Sequence, residues 1–138
     1  MTRAFRLTAP QPKLVENDVE RQCLDLLRLR GYWAARLHAG TFRSIDGQRW
    51  IRGVEKGTPD YGAIHEVYPG FLLETKRPGA NLTPAQSTAI NNLRMGYRLA
   101  VCAVDGVAAF VRWLDQHETQ SRNRWREFLR REAAARGP

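Results

Sequence analysis

The alternation of apolar and polar positions divides the chain into a short series of elements. After a leader punctuated by prolines (1–14), "VENDVERQCLDLLRLRG" sets Val15, Val19, Cys23, Leu26 and Leu27 on one helical face, and Gly31 suits the C-terminal stop. "YWAARL" follows as a strand. "HAGTFRSIDGQRWIRGVEKG" reads as a glycine-punctuated loop with room for one short strand. "DYGAIHEV" and "FLLETKR", joined at Pro69-Gly70, predict a β-hairpin.

"LTPAQSTAINNLRMG" carries helix punctuation: Thr83 as N-cap, Pro84 at the first helical position and Gly96 after the end. "YRLAVCAV" is a buried strand by its β-prone apolar run. "DGVAAFVRWLDQH" returns to helical spacing, with Asp105 as its cap, and "TQSRNRWREFLRREAAARGP" is a basic amphipathic helix. Helix, strands, helix, strand, helix is the order of an α/β sandwich, a central mixed sheet flanked by helices, with a basic C-terminal helix added. The divisions expected are a leader (1–14), a folded domain (15–117) and a basic extension (118–138).

Composition narrows the function. A chain of 138 residues fits one domain, and 43% hydrophobic residues are enough to give it a core. No apolar run approaches the roughly 18–20 residues of a bilayer span, so no membrane role is expected. The N-terminal stretch has no apolar core of a secretory signal. Cys23 and Cys102 sit in apolar segments without metal-ligand spacing and read as buried free thiols, in keeping with a reducing cytoplasm. The net charge of +8 points to a polyanionic partner, first of all nucleic acid. Arginines outnumber lysines nineteen to three, which suits phosphate oxygens but is also what a GC-rich genome produces.

The charges that need explaining lie inside the hairpin. Residues i and i+2 of a strand share a face, so Glu74 and Lys76 point together, away from Leu73 and Thr75. Asp60 opens the partner strand, and a short turn brings it beside Glu74. Carboxylates at that range repel unless a cation lies between them. Their hard oxygens suit Mg²⁺ or Mn²⁺, an ion that activates water and stabilises charge on a phosphate. Lys76 would hold that water or offset the developing charge. Gly57 and Pro59 would fix the backbone that aims Asp60. The bland alternative is a surface hairpin whose charges are simply solvated.

With "LLRLRGYWAARLHAG", "KGTPDYGAI", "FLLETKRPG" and "LTPAQSTAINNLRMGY" in this order, the chain resembles the VRR-NUC nucleases of the PD-(D/E)XK superfamily, related to archaeal-type Holliday junction resolvases. The likeness runs from about Val15 to Leu114. It implies a PD-(D/E)XK restriction-endonuclease-like core and a metal-dependent DNA endonuclease, structure-selective on branched DNA such as a Holliday junction or flap. It also implies a homodimer, a cytoplasmic location in a bacterium or phage, and no small-molecule cofactor.

The resemblance assigns Asp60, Glu74 and the backbone carbonyl of Thr75 to the metal, Lys76 to catalysis, and Gln86 to the helix that follows. As plain helix chemistry Gln86 is also the third residue of a capping box begun by Thr83. The VRR-NUC spacing selects Glu16 on the first helix and the resolvase spacing selects Glu20; Glu20 is preferred as nearer the middle of the apolar stripe. Arg36 matches a family arginine that would bind the scissile phosphate, or it pairs with an acid. Lys56, Arg77, Arg122, Arg126 and Arg130 complete the candidate DNA contacts. His38 and Thr41 match less well, and His38, His65 and His117 have no metal-ligand spacing. Two other readings remain: an inactive nucleic-acid-binding module of the same fold, and a phage-encoded interaction protein using charge alone.

Overall fold

In the computed structural model, residues 15–38, 41–43 and 46–137 are described, and the expected leader lies outside them. The order is α1 (Glu16–Leu29), β1 (Trp33–Arg36), β2 (Thr41–Arg43), β3 (Trp50–Arg52), β4 (Tyr61–Ile64), β5 (Phe71–Thr75), α2 (Pro84–Gly96), β6 (Val101–Val104) and α3 (Val107–Arg136). Four strands form one sheet in the order β1-β4-β5-β6, and β2 and β3 pair as a separate ribbon. The chain is therefore α/β, with a mixed sheet flanked by helices. No helix among the described residues is long and apolar enough to cross a membrane.

The predicted hairpin forms: β4 and β5 are antiparallel with Tyr61 opposite Leu73 and Ala63 opposite Phe71. β6 joins β5 in parallel, Leu72 opposite Val101 and Thr75 opposite Val104, because α2 carries the chain back across one face. Alternation then sorts the side chains. Tyr61, Ala63, Phe71 and Leu73 face α1 and α3 and form the main core with Val19, Cys23, Leu27, Cys102, Phe110 and Leu114. Glu74 and Lys76 turn to the opposite face, where α2 packs.

Four local expectations need correction. The loop before Gly57 holds two short strands rather than one. Val15 does not join the apolar stripe of α1; it is the half-exposed N-cap, its N–H donating to Asp18 Oδ2 at 3.2 Å. Gly96 is the last residue of α2 rather than the one beyond it, and the chain reverses at Arg98, whose φ of +52° is left-handed. Asp105 does not cap α3; its carboxylate accepts the Gly79 N–H at 2.9 Å and ties the loop after β5 to the end of β6.

The stretch read as two helices is a single one of 30 residues that crosses 117/118 without a break. Phe110, Leu114 and Glu118 are its buried residues, one every fourth position. Glu118 accepts the Tyr32 hydroxyl at 3.1 Å and meets Arg30 at 3.4 Å and Arg122 at 3.6 Å, so a charged network closes the α1–α3 contact.

Candidate functional site

The loop that delivers Asp60 is held by close packing. Gly57 has φ +88°, and a Cβ there would lie 2.5 Å from the Ala85 carbonyl oxygen, inside any tolerable contact. The glycine lets the loop press on the first turn of α2, and Pro59 is buried beside it. Leu37 N–H donates to the Asp60 carbonyl at 2.7 Å, fixing the backbone at the mouth of β4. Asp60 precedes Tyr61, which faces α1, so by alternation it belongs to the face of Glu74.

Glu74 is 1% exposed, an unusual place for a carboxylate. Its Oε1 receives Lys76 Nζ at 3.0 Å and Gln86 Nε2 at 2.6 Å. Its Oε2 is buried with no hydrogen-bond partner among the described residues. Thr75 Oγ1, on the opposite face, is likewise buried and unpartnered, and nothing at the site accounts for it. Gln86 closes the expected capping box and also reaches Glu74. Its Oε1 accepts the Thr83 N–H at 2.9 Å while its N–H donates to Thr83 Oγ1, and the side-chain amide nitrogen reaches Glu74. The capping box thus orients the amide that holds the buried carboxylate.

Asp60 and Glu74 are both held above their ordinary pKa. For Glu74 burial is the largest cause, then opposed by the Lys76 hydrogen bond and reinforced by the charges of Asp60 and Glu16. For Asp60 burial again leads; Lys76 and Arg36 pull the other way, and Glu20 and Glu16 add to the rise. Four carboxylates therefore share one field, offset chiefly by Lys76.

The two α1 glutamates differ in their surroundings. Glu20 accepts the Tyr61 hydroxyl at 2.6 Å, and Arg36 approaches it at 3.8 Å with its guanidinium over the Tyr61 ring. Arg36 is thus paired with an acid at the edge of the site. Glu16 forms no hydrogen bond or ion pair with described residues, yet its charge acts on both Asp60 and Glu74. Lys56 and Arg77 are exposed, Lys56 beside the first turns of α2 and Arg77 just beyond β5. Arg122 is bound to Glu118 and to the Tyr68 hydroxyl, whereas Arg126 and Arg130 are exposed on the outer half of α3.

The oxygen set suits a hard divalent cation. Leu72 N–H and, just past β5, Lys76 N–H donate to the carbonyls of Ala100, just before β6, and Val104, so the intervening Leu73 and Thr75 turn their backbone toward β4. The β4–β5 ladder ends at Tyr61–Leu73, which leaves the Thr75 carbonyl past its end, on the Asp60 side. Together with the orphaned Glu74 Oε2, that supplies oxygen donors from two carboxylates and one carbonyl. Among the described residues no three His, Cys, Asp or Glu side chains are grouped as a ready metal cage.

His65 and His117 are structural: His65 accepts the Val67 N–H at Nδ1 and contacts the Arg30 carbonyl at 3.1 Å, and His117 contacts the Pro69 carbonyl at 2.8 Å. His38 carries a backbone contact, accepting the Val54 N–H at its carbonyl, and Thr41 opens β2. Cys23 and Cys102 are free and buried; burial pushes the Cys23 thiol up to about 12 and raises Cys102 as well, which disfavours the thiolate form in both. Sequence reading missed Glu118, although a polar residue four positions after Leu114 on the stripe was the available signal. No model of a known family matches the chain, and no curated protein matches it.

Proposed function

We propose that the chain is a divalent-metal-dependent deoxyribonuclease with a PD-(D/E)XK-type core, hydrolysing phosphodiester bonds at the sheet end formed by Asp60 and Glu74. The observation that carries this reading is Glu74 itself: almost fully buried, held on one oxygen by Lys76 and Gln86, and bare on the other. Leaving a buried carboxylate oxygen unsatisfied costs more than about 1 kcal/mol, and a cation bound at Oε2 would remove that cost. Mg²⁺ or Mn²⁺ bound by Asp60, Glu74 Oε2 and the Thr75 carbonyl would stabilise charge on the scissile phosphate and make its bound water acidic.

The remaining work falls to the chain's own residues. Lys76 is anchored to Glu74 and only 15% exposed, so its ammonium is aimed and partly desolvated where negative charge would grow. Gln86 keeps Glu74 from rotating. Glu16 supplies a further carboxylate in the same field, while Glu20 anchors Tyr61 and Arg36. Arg36 is half-exposed and has guanidinium nitrogens to spare for a phosphate. Selectivity for branched DNA and a homodimeric state belong to this proposal through the motif resemblance.

An inactive nucleic-acid-binding module is the second reading, favoured by the lack of three grouped metal-ligating side chains among the described residues. Cleavage of a panel of linear duplex, single strand, flap, splayed arm and four-way junction, with Mg²⁺, Mn²⁺ or Ca²⁺, separates the two. The nuclease cuts with Mg²⁺ or Mn²⁺, binds without turnover in Ca²⁺, and stops on chelation. Binding to DNA with no cleavage in any metal would leave only the inactive module.

A further inference from the structure

One well-formed concavity among the described residues lies away from the carboxylates. It lies at the opposite end of the sheet, a groove of about 700 Å³ between the C-terminal end of α2 and α3, floored by Gly70, Ala100 and Val101. Arg94, Arg98 and Arg124 line it, and no Asp or Glu does. Arg94 has an ordinary structural task, donating to the Val101 carbonyl at 2.7 Å, and cations suit the C-terminal end of a helix. That does not explain Arg124, which comes from α3, or Arg98, placed by a left-handed residue that few side chains adopt. Neither has a carboxylate partner among the described residues.

The α3 wall continues beyond the groove. Trp113, His117, Gln120 and Arg124 follow helical spacing, and the same face carries on to Phe128. Trp113 stacks on His117 inside the groove with centroids 4.9 Å apart, and Trp125 stacks on Phe128 outside it at 5.4 Å. Trp125 is 61% exposed and Phe128 49%, and every residue from Arg122 to Arg136 is exposed. The apolar edge of this segment therefore does not dock on its own domain. Arg124 sits between the two ring pairs on this wall and Arg98 faces it from beyond α2, which suits a nucleic-acid strand: phosphates for the arginines, a base for the rings.

We propose that this groove and the exposed face of α3 form a second nucleic-acid contact, gripping backbone phosphates through Arg98 and Arg124 and stacking a base on the Trp125–Phe128 pair. Gly70 and Glu74 are separated by about 13 Å of strand, roughly four base pairs of duplex, so one substrate can span both ends of the sheet. The inference rests on the proposed action on DNA for the identity of the polyanion, but not on catalysis.

Fluorescence anisotropy with labelled single-stranded and duplex oligonucleotides, in Ca²⁺ and over a range of salt, tests it without turnover. For Arg98→Gln/Arg124→Gln the slope of log affinity against log salt should fall by about 1.4 on single strands and about 1.8 on duplex, two contacts at the usual slope per phosphate. Arg124→Gln alone, on an exposed helical position, should give half of that drop and removes any doubt about folding. Trp125→Ala/Phe128→Ala should weaken single-strand binding about fivefold or more with the salt slope unchanged. An unaltered slope in the arginine variants, or loss of a dimer by light scattering in the ring variant, would overturn the proposal. Altered slopes together with no cleavage by the wild type would sink the nuclease reading and leave this contact standing.

Discussion

The two ends of the central sheet hold charge in opposite ways. At the end of β5, Glu74 and Lys76 are taken out of water and fixed by named partners, and the carboxylates are pushed above their ordinary pKa. At the other end Arg94, Arg98 and Arg124 stay exposed and the groove between them is open. Desolvated charge is expensive and rigid, which suits a place where a few atoms must be aimed. Solvated charge costs little and acts through long-range attraction, which suits binding. A single helix shows the same division: α3 buries Phe110, Leu114 and Glu118 in its first half and nothing in its second.

The largest effect should come from the buried end. Asp60→Asn and Glu74→Gln should each lower the cleavage rate by at least about a hundredfold, near 2.7 kcal/mol, with native circular dichroism. Retention of more than about a tenth of the rate would remove that residue from the site. Glutamine is the informative replacement at 74, because alanine would also strip Lys76 and Gln86 of their partner.

Gly57→Ala comes next. The added Cβ collides with the Ala85 carbonyl and the left-handed φ disfavours any side chain, so a loss of about 1–3 kcal/mol is expected in denaturant unfolding. Because the strain falls on the loop that carries Asp60, activity should drop further than stability explains. An alanine variant as stable and active as the wild type would show that the loop does not position the site.

The pH dependence of stability sharpens the contrast. Asp60 has a raised pKa in the fold, so the folded state binds more protons than the unfolded one between the ordinary and raised values, and without metal stability falls as pH rises through that window. Asp60→Asn should therefore melt higher than the wild type above the window, and the gain should vanish below the ordinary carboxylate range. Thermal melts in chelator across acid to neutral pH read this directly; an equal gain at all pH values would mean that repulsion is not its source.

The smallest effect belongs to the outer half of α3. Among the described residues, removing 123–138 takes away only exposed side chains and the surface pairs Arg131–Glu127 and Arg136–Glu132, each worth about 0–1 kcal/mol at most. The melting temperature of the shortened chain should stay within a few degrees of the full one. A large drop would show that this segment is covered in solution, by a second copy or by the body of the domain.

Local chemistry was legible wherever periodicity and punctuation agree. The hairpin, the α2 cap at Thr83-Pro84, the apolar stripe of α1 and the shared face of Glu74 and Lys76 all follow from alternation, helical spacing and the fixed dihedral of proline. What needed the tertiary structure was everything that depends on which elements meet. Arg94, Arg98 and Arg124 are ordinary surface arginines in the sequence and become one groove only because α2 ends beside α3. Asp105 reads as a helix cap and is diverted because Gly79 N–H reaches it from another loop. Glu20, preferred for its place on the stripe, is held by Tyr61 and Arg36, while Glu16 makes no such bond among the described residues. Spacing along a chain fixes the direction of a side chain; its partners come from segments many residues away, and those are decided by how the helices pack on the sheet.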